Sequence, residues 1–199
     1  VGSLVPGMPA EERVEVAKAI ALSQAASSDP HTTGLCLLAA GRLLGADLRD
    51  GKIDVLAQAD PSPRLFAALD RGSPSDRGYA ALALAQAADG ARASGLARPL
   101  LEQTKKALLS GLLQGRGTDA LRAAHVVGLG LLDVEEATGP LLDVVRDPGA
   151  DPVLRGHAAV TLGQMGRKRD DVVPVLRALL REKRGTLLRV QAAMALALY

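Results

Sequence analysis

The sequence predicts an all-α protein, an α–α superhelix (solenoid) of about five stacked antiparallel helix pairs in one domain over residues 1–199. Three observations carry this. Apolar residues recur at helical spacing, two motifs alternate along the chain at a common period, and the apolar mass is almost free of rings. Apolar residues make up 48% of the 199 and aromatic residues 2%, with one Phe, two Tyr and no Trp. Alanine, leucine and valine therefore build the core, and small side chains let helix backbones approach closely. Charged residues at 23% and a net charge of +2 mark a folding composition, not a disordered one.

The first motif is anchored on Arg155, taken as position zero. Arg122, Arg189 and Arg77 align with it, and Thr33 starts a fifth, divergent copy; the steps are 44, 45, 33 and 34 residues. Positions plus three to plus five are apolar or small in most copies, as in Ala158-Ala159-Val160 and Ala80-Ala81-Leu82, with His125 and Cys36 at plus three in two of them. Plus seven is Leu in four copies and plus eight is Gly or Ala in all five. The second motif sits between copies: Pro99-Leu100-Leu101, Pro140-Leu141-Leu142 and Pro174-Val175-Leu176, with a looser version at Pro63. Two interleaved signals at one period describe a two-helix unit.

The elements follow in order. The helix pairs are expected over 9–45, 53–89, 96–133, 137–166 and 170–199, split as 9–27 and 30–45, 53–70 and 74–89, 96–115 and 118–133, 137–147 and 152–166, and 170–183 and 186–199. In the last pair the apolar residues 172, 173, 176, 179 and 180 share one helical face. Asp29-Pro30, Ser73-Pro74 and Asp151-Pro152 each place a capping side chain before Pro at the first helical position, and Thr118 caps without proline. The stretch 53–70 is expected to break at Asp60-Pro61. Each pair has too little core to stand alone, so stacking is what stabilises it.

The stretch from Asp151 to Glu182 resembles a HEAT repeat of the short form named after phycobilisome lyases. Asp151, Arg155, Ala158-Ala159, Leu162-Gly163, Gly166, Pro174 and Leu176 carry the likeness, and the unit around Arg122 is nearly as similar. The resemblance implies a stacked helical array. It implies that the position-zero Arg pairs with an Asp of the intra-repeat turn, and that second helices line a concave surface that grips a partner. Such repeats occur in scaffolds, chaperones of cofactor attachment, regulatory subunits and nucleic-acid-binding proteins, so fold alone leaves function open.

Candidate sites are few. Positions plus two, plus six and plus nine of the second helices vary in chemistry while the core positions repeat. Tyr79, Gln86, His157, Thr161, Gln164 and Gln191 on this stripe are the candidate partner contacts. A rival reading packs much of the stripe against neighbouring units. Arg122, Arg155, Arg167, Lys168, Arg169 and Arg189 form a candidate basic patch; residues 167–189 hold eight basic side chains against three acids. The position-zero Arg is expected to bond turn carbonyls or an Asp such as Asp151.

The remaining expectations are absences. His125 reads as a half-buried core histidine and Cys36 as a small buried thiol. No catalytic cluster, cofactor motif, metal-ligand spacing or small-molecule site stands out, and one cysteine allows neither an internal disulfide nor a Cys-based zinc site. Uncharged stretches such as Gly78–Ala88 and Gly156–Gly166 run for 11 residues, short of a bilayer span. No secretory leader is read at the start, and soluble, cytoplasmic protein is favoured. The chain opens on Val1 and stops inside an apolar helical pattern, so it reads as a fragment or a processed product. The expected function is a non-catalytic scaffold that binds a protein along the concave second-helix face. The alternative is nucleic-acid or polyanion binding through the basic C-terminal units.

Overall fold

A computed structural model describes residues 8–27, 29–51, 60–115, 117–166, 170–182 and 185–199. These residues form ten α-helices and no strand: α1 (Ala10–Ala26), α2 (Pro30–Arg49), α3 (Ser62–Arg71), α4 (Pro74–Ser94), α5 (Arg98–Gln114), α6 (Asp119–Leu131), α7 (Thr138–Arg146), α8 (Pro152–Met165), α9 (Val172–Leu180) and α10 (Thr186–Leu198). The all-α class and the antiparallel helix pairs are as the sequence predicts. The part of the expected helix 53–70 that precedes Asp60 lies outside the described residues.

Helix starts obey local chemistry. The Asp29 carboxylate accepts the Thr32 amide at 2.8 Å and the Thr32 hydroxyl at 2.7 Å. The hydroxyl first, then the amide, holds that carboxyl below the usual aspartate range. Ser73 and Asp76 form a reciprocal capping box on α4. Asp151 accepts the Val153 and Leu154 amides at 2.9 Å, and Thr118 accepts the Leu121 amide at 3.2 Å. Pro30, Pro74 and Pro152 occupy first-turn positions where no N–H is needed.

Helix ends differ from expectation. α2 runs to Arg49 and α4 to Ser94, four to five residues past the predicted stops at 45 and 89. Gly45 and Gly90 do not end these helices. A Cβ at Gly90 would collide with the Gly45 backbone, so the two glycines are where α2 and α4 touch. Arg49 donates to Asp89 at 2.7 Å and Arg92 donates to the same carboxylate at 2.6 Å, which holds the extension together. α4 ends where Gly95 turns left-handed at φ 73°. α9 is shorter than the expected 170–183, and a 3₁₀ turn at Glu135–Ala137 leads into α7.

The chain divides into two compact units, Val1–Ala107 and Leu108–Tyr199. In the first, α2 packs along α4, and Leu37, Leu65, Ala80, Ala83 and Leu84 form one buried cluster. A second cluster joins Leu44, Leu48, Ala87 and Ala91. Arg13 of α1 is buried and donates to Asp47 at 2.8 Å and to Asp50 at 2.6 Å. Burial opposes its charge, but both aspartates outweigh that and raise its pKa. In the second unit, α8 packs between α6 and α10, while α7 and α9 pack on their own second helices.

Missing side chains set the spacing of the second helices. A Cβ at Gly41 would strike the Ala83 backbone, one at Gly163 the Ala195 backbone, and one at Gly130 the Thr161 side chain. Each is position plus eight of one unit facing plus six of the next. Gly34 and Gly156, at plus one, receive Tyr79 and Gln191, at plus two of the next unit. Glycine costs about 1 kcal/mol in a helix interior relative to alanine, and close packing of the neighbouring helix offsets that cost. Gly163→Ala is therefore expected to destabilise the protein by about 1–3 kcal/mol in urea unfolding, despite better helix propensity. Gly78→Ala in α4, whose Cβ meets nothing within 4 Å, is expected to stabilise by up to about 1 kcal/mol. Stabilisation by both changes would show that the plus-eight glycines are not contact points.

Candidate functional site

The position-zero arginines are structural in two units. Arg155 is buried; its Nε and Nη2 donate to the Val145 carbonyl at 3.1 and 3.0 Å, and its Nη1 and Nη2 donate to the Glu182 carboxylate at 3.1 and 2.5 Å. Val145 lies in the last turn of α7, where carbonyls lack helical partners. Arg77 Nε donates to Leu69 O of α3 at 2.9 Å in the same way. The carbonyl half of the expectation thus holds for these two, but Asp151 caps α8 and leaves its Arg to Glu182, from the next helix pair. Arg122 lies 3.5 Å from Asp119, one turn earlier. Arg189 is exposed and donates to Thr186 Oγ1 at 3.4 Å. Arg155 therefore offers no free charge to a polyanion, and Arg167, Lys168 and Arg169 lie outside the described residues.

The stripe of candidate contacts is divided by the stacking. Thr161 is 2% exposed and rests on Gly130. The Tyr79 ring lies over Gly34 within the first-unit core. The Gln86 backbone meets Gly45, and the Gln191 amide lies on Gly156. His157 is half-buried, and Gln164 is the one exposed member. Plus two and plus six are thus leading positions, which contact the preceding second helix. Thr161 presents no surface to a partner, because stacking of α8 on α6 presses it onto Gly130.

Residue register shows where the open face lies. At about 100° per residue, plus three, four and seven point to the core. Plus one and plus eight form a trailing edge toward the next unit. The remaining direction gathers minus two, plus five and plus nine within about 40° of arc. In the second unit these positions are Ala120, Val127 and Leu131 on α6, Val153, Val160 and Gln164 on α8, and Leu187, Met194 and Leu198 on α10. All but the half-buried Val160 are exposed, Val153 at 47% and Met194 at 51%. Because α6, α8 and α10 are neighbours, this is one aliphatic surface three helices wide, broken only by Gln164. The equivalent positions in the first unit are mixed: His31, Leu38 and Arg42 on α2, and Ser75, Leu82 and Gln86 on α4. Sequence reasoning found plus nine but missed minus two and plus five. The signal was present, since Val153 and Leu187 stand where a solvent-facing first turn is ordinarily polar.

Residues 106–197 match the family model of HEAT repeats. No curated protein matches the chain. The match covers the end of α5 and nearly all of helices α6 to α10, so the aliphatic surface lies within the segment that is similar to HEAT repeats. Other side chains with chemical potential are placed quietly. Cys36 is buried, and His125 is buried with its ring over Gly111. Among the described residues no group of three or more His, Cys, Asp and Glu gathers as metal ligands. No described helix is long and apolar enough to cross a membrane.

Arg155→Ala is expected to cost about 3 kcal/mol, because it strips the Glu182 carboxylate and the Val145 carbonyl of a shared buried donor. Arg189→Ala is expected to stay within about 0.5 kcal/mol, as an exposed side chain with one weak bond. Equal losses in urea unfolding would contradict the division between buried and exposed members of the arginine series.

Proposed function

We propose that this chain is a non-catalytic scaffold whose HEAT-repeat segment binds a protein partner along the outward face of α6, α8 and α10. The observation that supports it most is the aliphatic surface of Val127, Leu131, Val153, Leu187, Met194 and Leu198. Exposed apolar residues scattered singly are ordinary, but a contiguous set on adjacent helices is the usual mark of an interaction site. Several rigid helices hold the patch, so little ordering entropy opposes binding. The partner contacts named from sequence shift accordingly: Gln164 and the exposed edge of His157 stay beside the patch, while Tyr79, Gln86, Thr161 and Gln191 act by positioning the helices. The 33- and 34-residue steps of the last units support the short, phycobilisome-lyase-type form of the repeat.

The test is affinity capture from a nuclease-treated lysate with wild type and with Val127→Glu and Val153→Glu. Wild type is expected to retain a protein that both variants lose at least about tenfold, since a charge at the centre of an apolar contact is costly to desolvate. Capture that disappears with nuclease, and is restored by added nucleic acid, would instead favour the polyanion reading through Arg189 and residues 167–169.

A further inference from the structure

Four of the five first helices bury aliphatic side chains: Leu65 on α3, Leu108 on α5, Leu141 and Leu142 on α7, and Leu176 on α9. Helix α1 differs. Among its described residues the one buried side chain is Arg13, while Val14, Val16 and Ile20 are half-buried. Three groups hold the guanidinium. Its Nε donates to the Met8 carbonyl at 2.9 Å, Nη1 to Asp47 at 2.8 Å and Nη2 to Asp50 at 2.6 Å. The Asp47 side chain is nearly as buried as that of Arg13, whereas Asp50 reaches solvent.

Helical register gives the face of α2 that meets α1. Cys36, Ala40, Leu43 and Asp47 fall within about 60° of arc and form one stripe along α2. Asp47, at one end of the stripe, takes Arg13. Helix α1 ends at Ala26 and α2 starts at Pro30, so the antiparallel α1 runs from Arg13 back along this stripe toward Cys36. Cys36 and Leu43 are buried there. They belong to neither of the two apolar clusters that tie α2 to α4, and no residue of α1 enters those clusters.

We propose that α1 is a displaceable cover on α2, latched by Arg13 in Asp47 and Asp50, and that its release bares the stripe from Cys36 to Asp47 while the rest of the first unit stays folded. The latch is cooperative because it is ionic and buried: losing the guanidinium leaves the Asp47 carboxylate buried without its counter-charge, and that opposes closure strongly. Each half-buried apolar contact of α1 adds little beside it. The clusters of Leu37 with Leu84 and of Leu44 and Leu48 with Ala87 hold α2 to α4 without α1. The latch lies between α1 and α2, so it does not depend on what flanks the outer face of α1. It involves the first unit alone and is independent of the partner binding proposed above.

Cys36 is the one cysteine of the chain, and its reaction rate with a maleimide under native conditions reports the opening. Arg13→Met is expected to raise that rate at least about a hundredfold, since the cover then opens over an uncompensated charge. Ile20→Ala, which trims a half-buried apolar side chain of α1, is expected to raise it by about tenfold at most. The control carries Leu84→Cys in a Cys36→Ala background, which places the reporter in a buried cluster that α1 does not enter. There Arg13→Met is expected to change the rate by less than about tenfold, because that thiol reacts only when α2 and α4 separate. A Cys36 rate that Arg13→Met leaves unchanged would overturn the proposal, as would an equal effect of Ile20→Ala. Equal acceleration at positions 36 and 84 would overturn it too, since α1 would then open only together with its whole unit.

Discussion

The second helices of this protein lie against one another at points where side chains are missing. Gly41 opposite Ala83, Gly130 opposite Thr161 and Gly163 opposite Ala195 let one backbone sit in the groove of the next. A methyl group in these slots strikes backbone in two of the three cases, and backbone cannot rotate away. Spacing between neighbouring units is therefore set by covalent geometry more than by side-chain choice. The low aromatic content follows from the same constraint, since rings would wedge such helices apart. Tyr79 is the exception that obeys it: its ring is accommodated because Gly34 has no side chain.

Once the stacking register is set, each residue of a second helix has its direction assigned. Core positions hold Leu, Ala and Val, the leading and trailing edges hold small or slot-fitting residues, and only one direction is left for solvent or a partner. The buried polar groups serve the same end. Arg155 and Arg77 satisfy carbonyls at the ends of first helices, and Glu182 joins Arg155 across two helix pairs. Removing one partner of such a contact leaves the other buried without its bond, which is what ties the facing helices to one arrangement. The result is a rigid platform whose open face in residues 119–198 is aliphatic, and the binding function proposed for it follows from that chemistry.

Much of this was legible from sequence because much of it is local. Asp29, Ser73, Thr118 and Asp151 cap helices with groups two or three residues away, and proline beside them marks the start. The repeat register was legible because every unit must solve one packing problem. Three features were not. The last turns of α2 and α4, past 45 and 89, are one: Arg49 donates to Asp89 from 40 positions away, although glycines within helices such as Gly45 already point to close helix contact. Glu182 and the Arg13–Asp47–Asp50 pairs join residues 27 to 37 positions apart, and spacing carries no trace of them. The stripe at plus two, plus six and plus nine varies like a surface. Its variation instead tracks the slot offered by the preceding unit, large over Gly34 and Gly156 and small beside Gly41 and Gly163.

The central claim is that register separates a stacking edge from an open face eight residues apart on the same helix. Thiol labelling tests it directly. In a Cys36→Ala background, a single cysteine is placed at position 153 or at position 161 of α8, and its reaction rate with a maleimide is measured under native conditions. The cysteine at 153 is expected to react like a free thiol, and the one at 161 at least about a hundredfold more slowly, since it reacts only through local opening. Equal rates at the two positions would mean that Thr161 faces solvent, and the stacking register described here would be wrong.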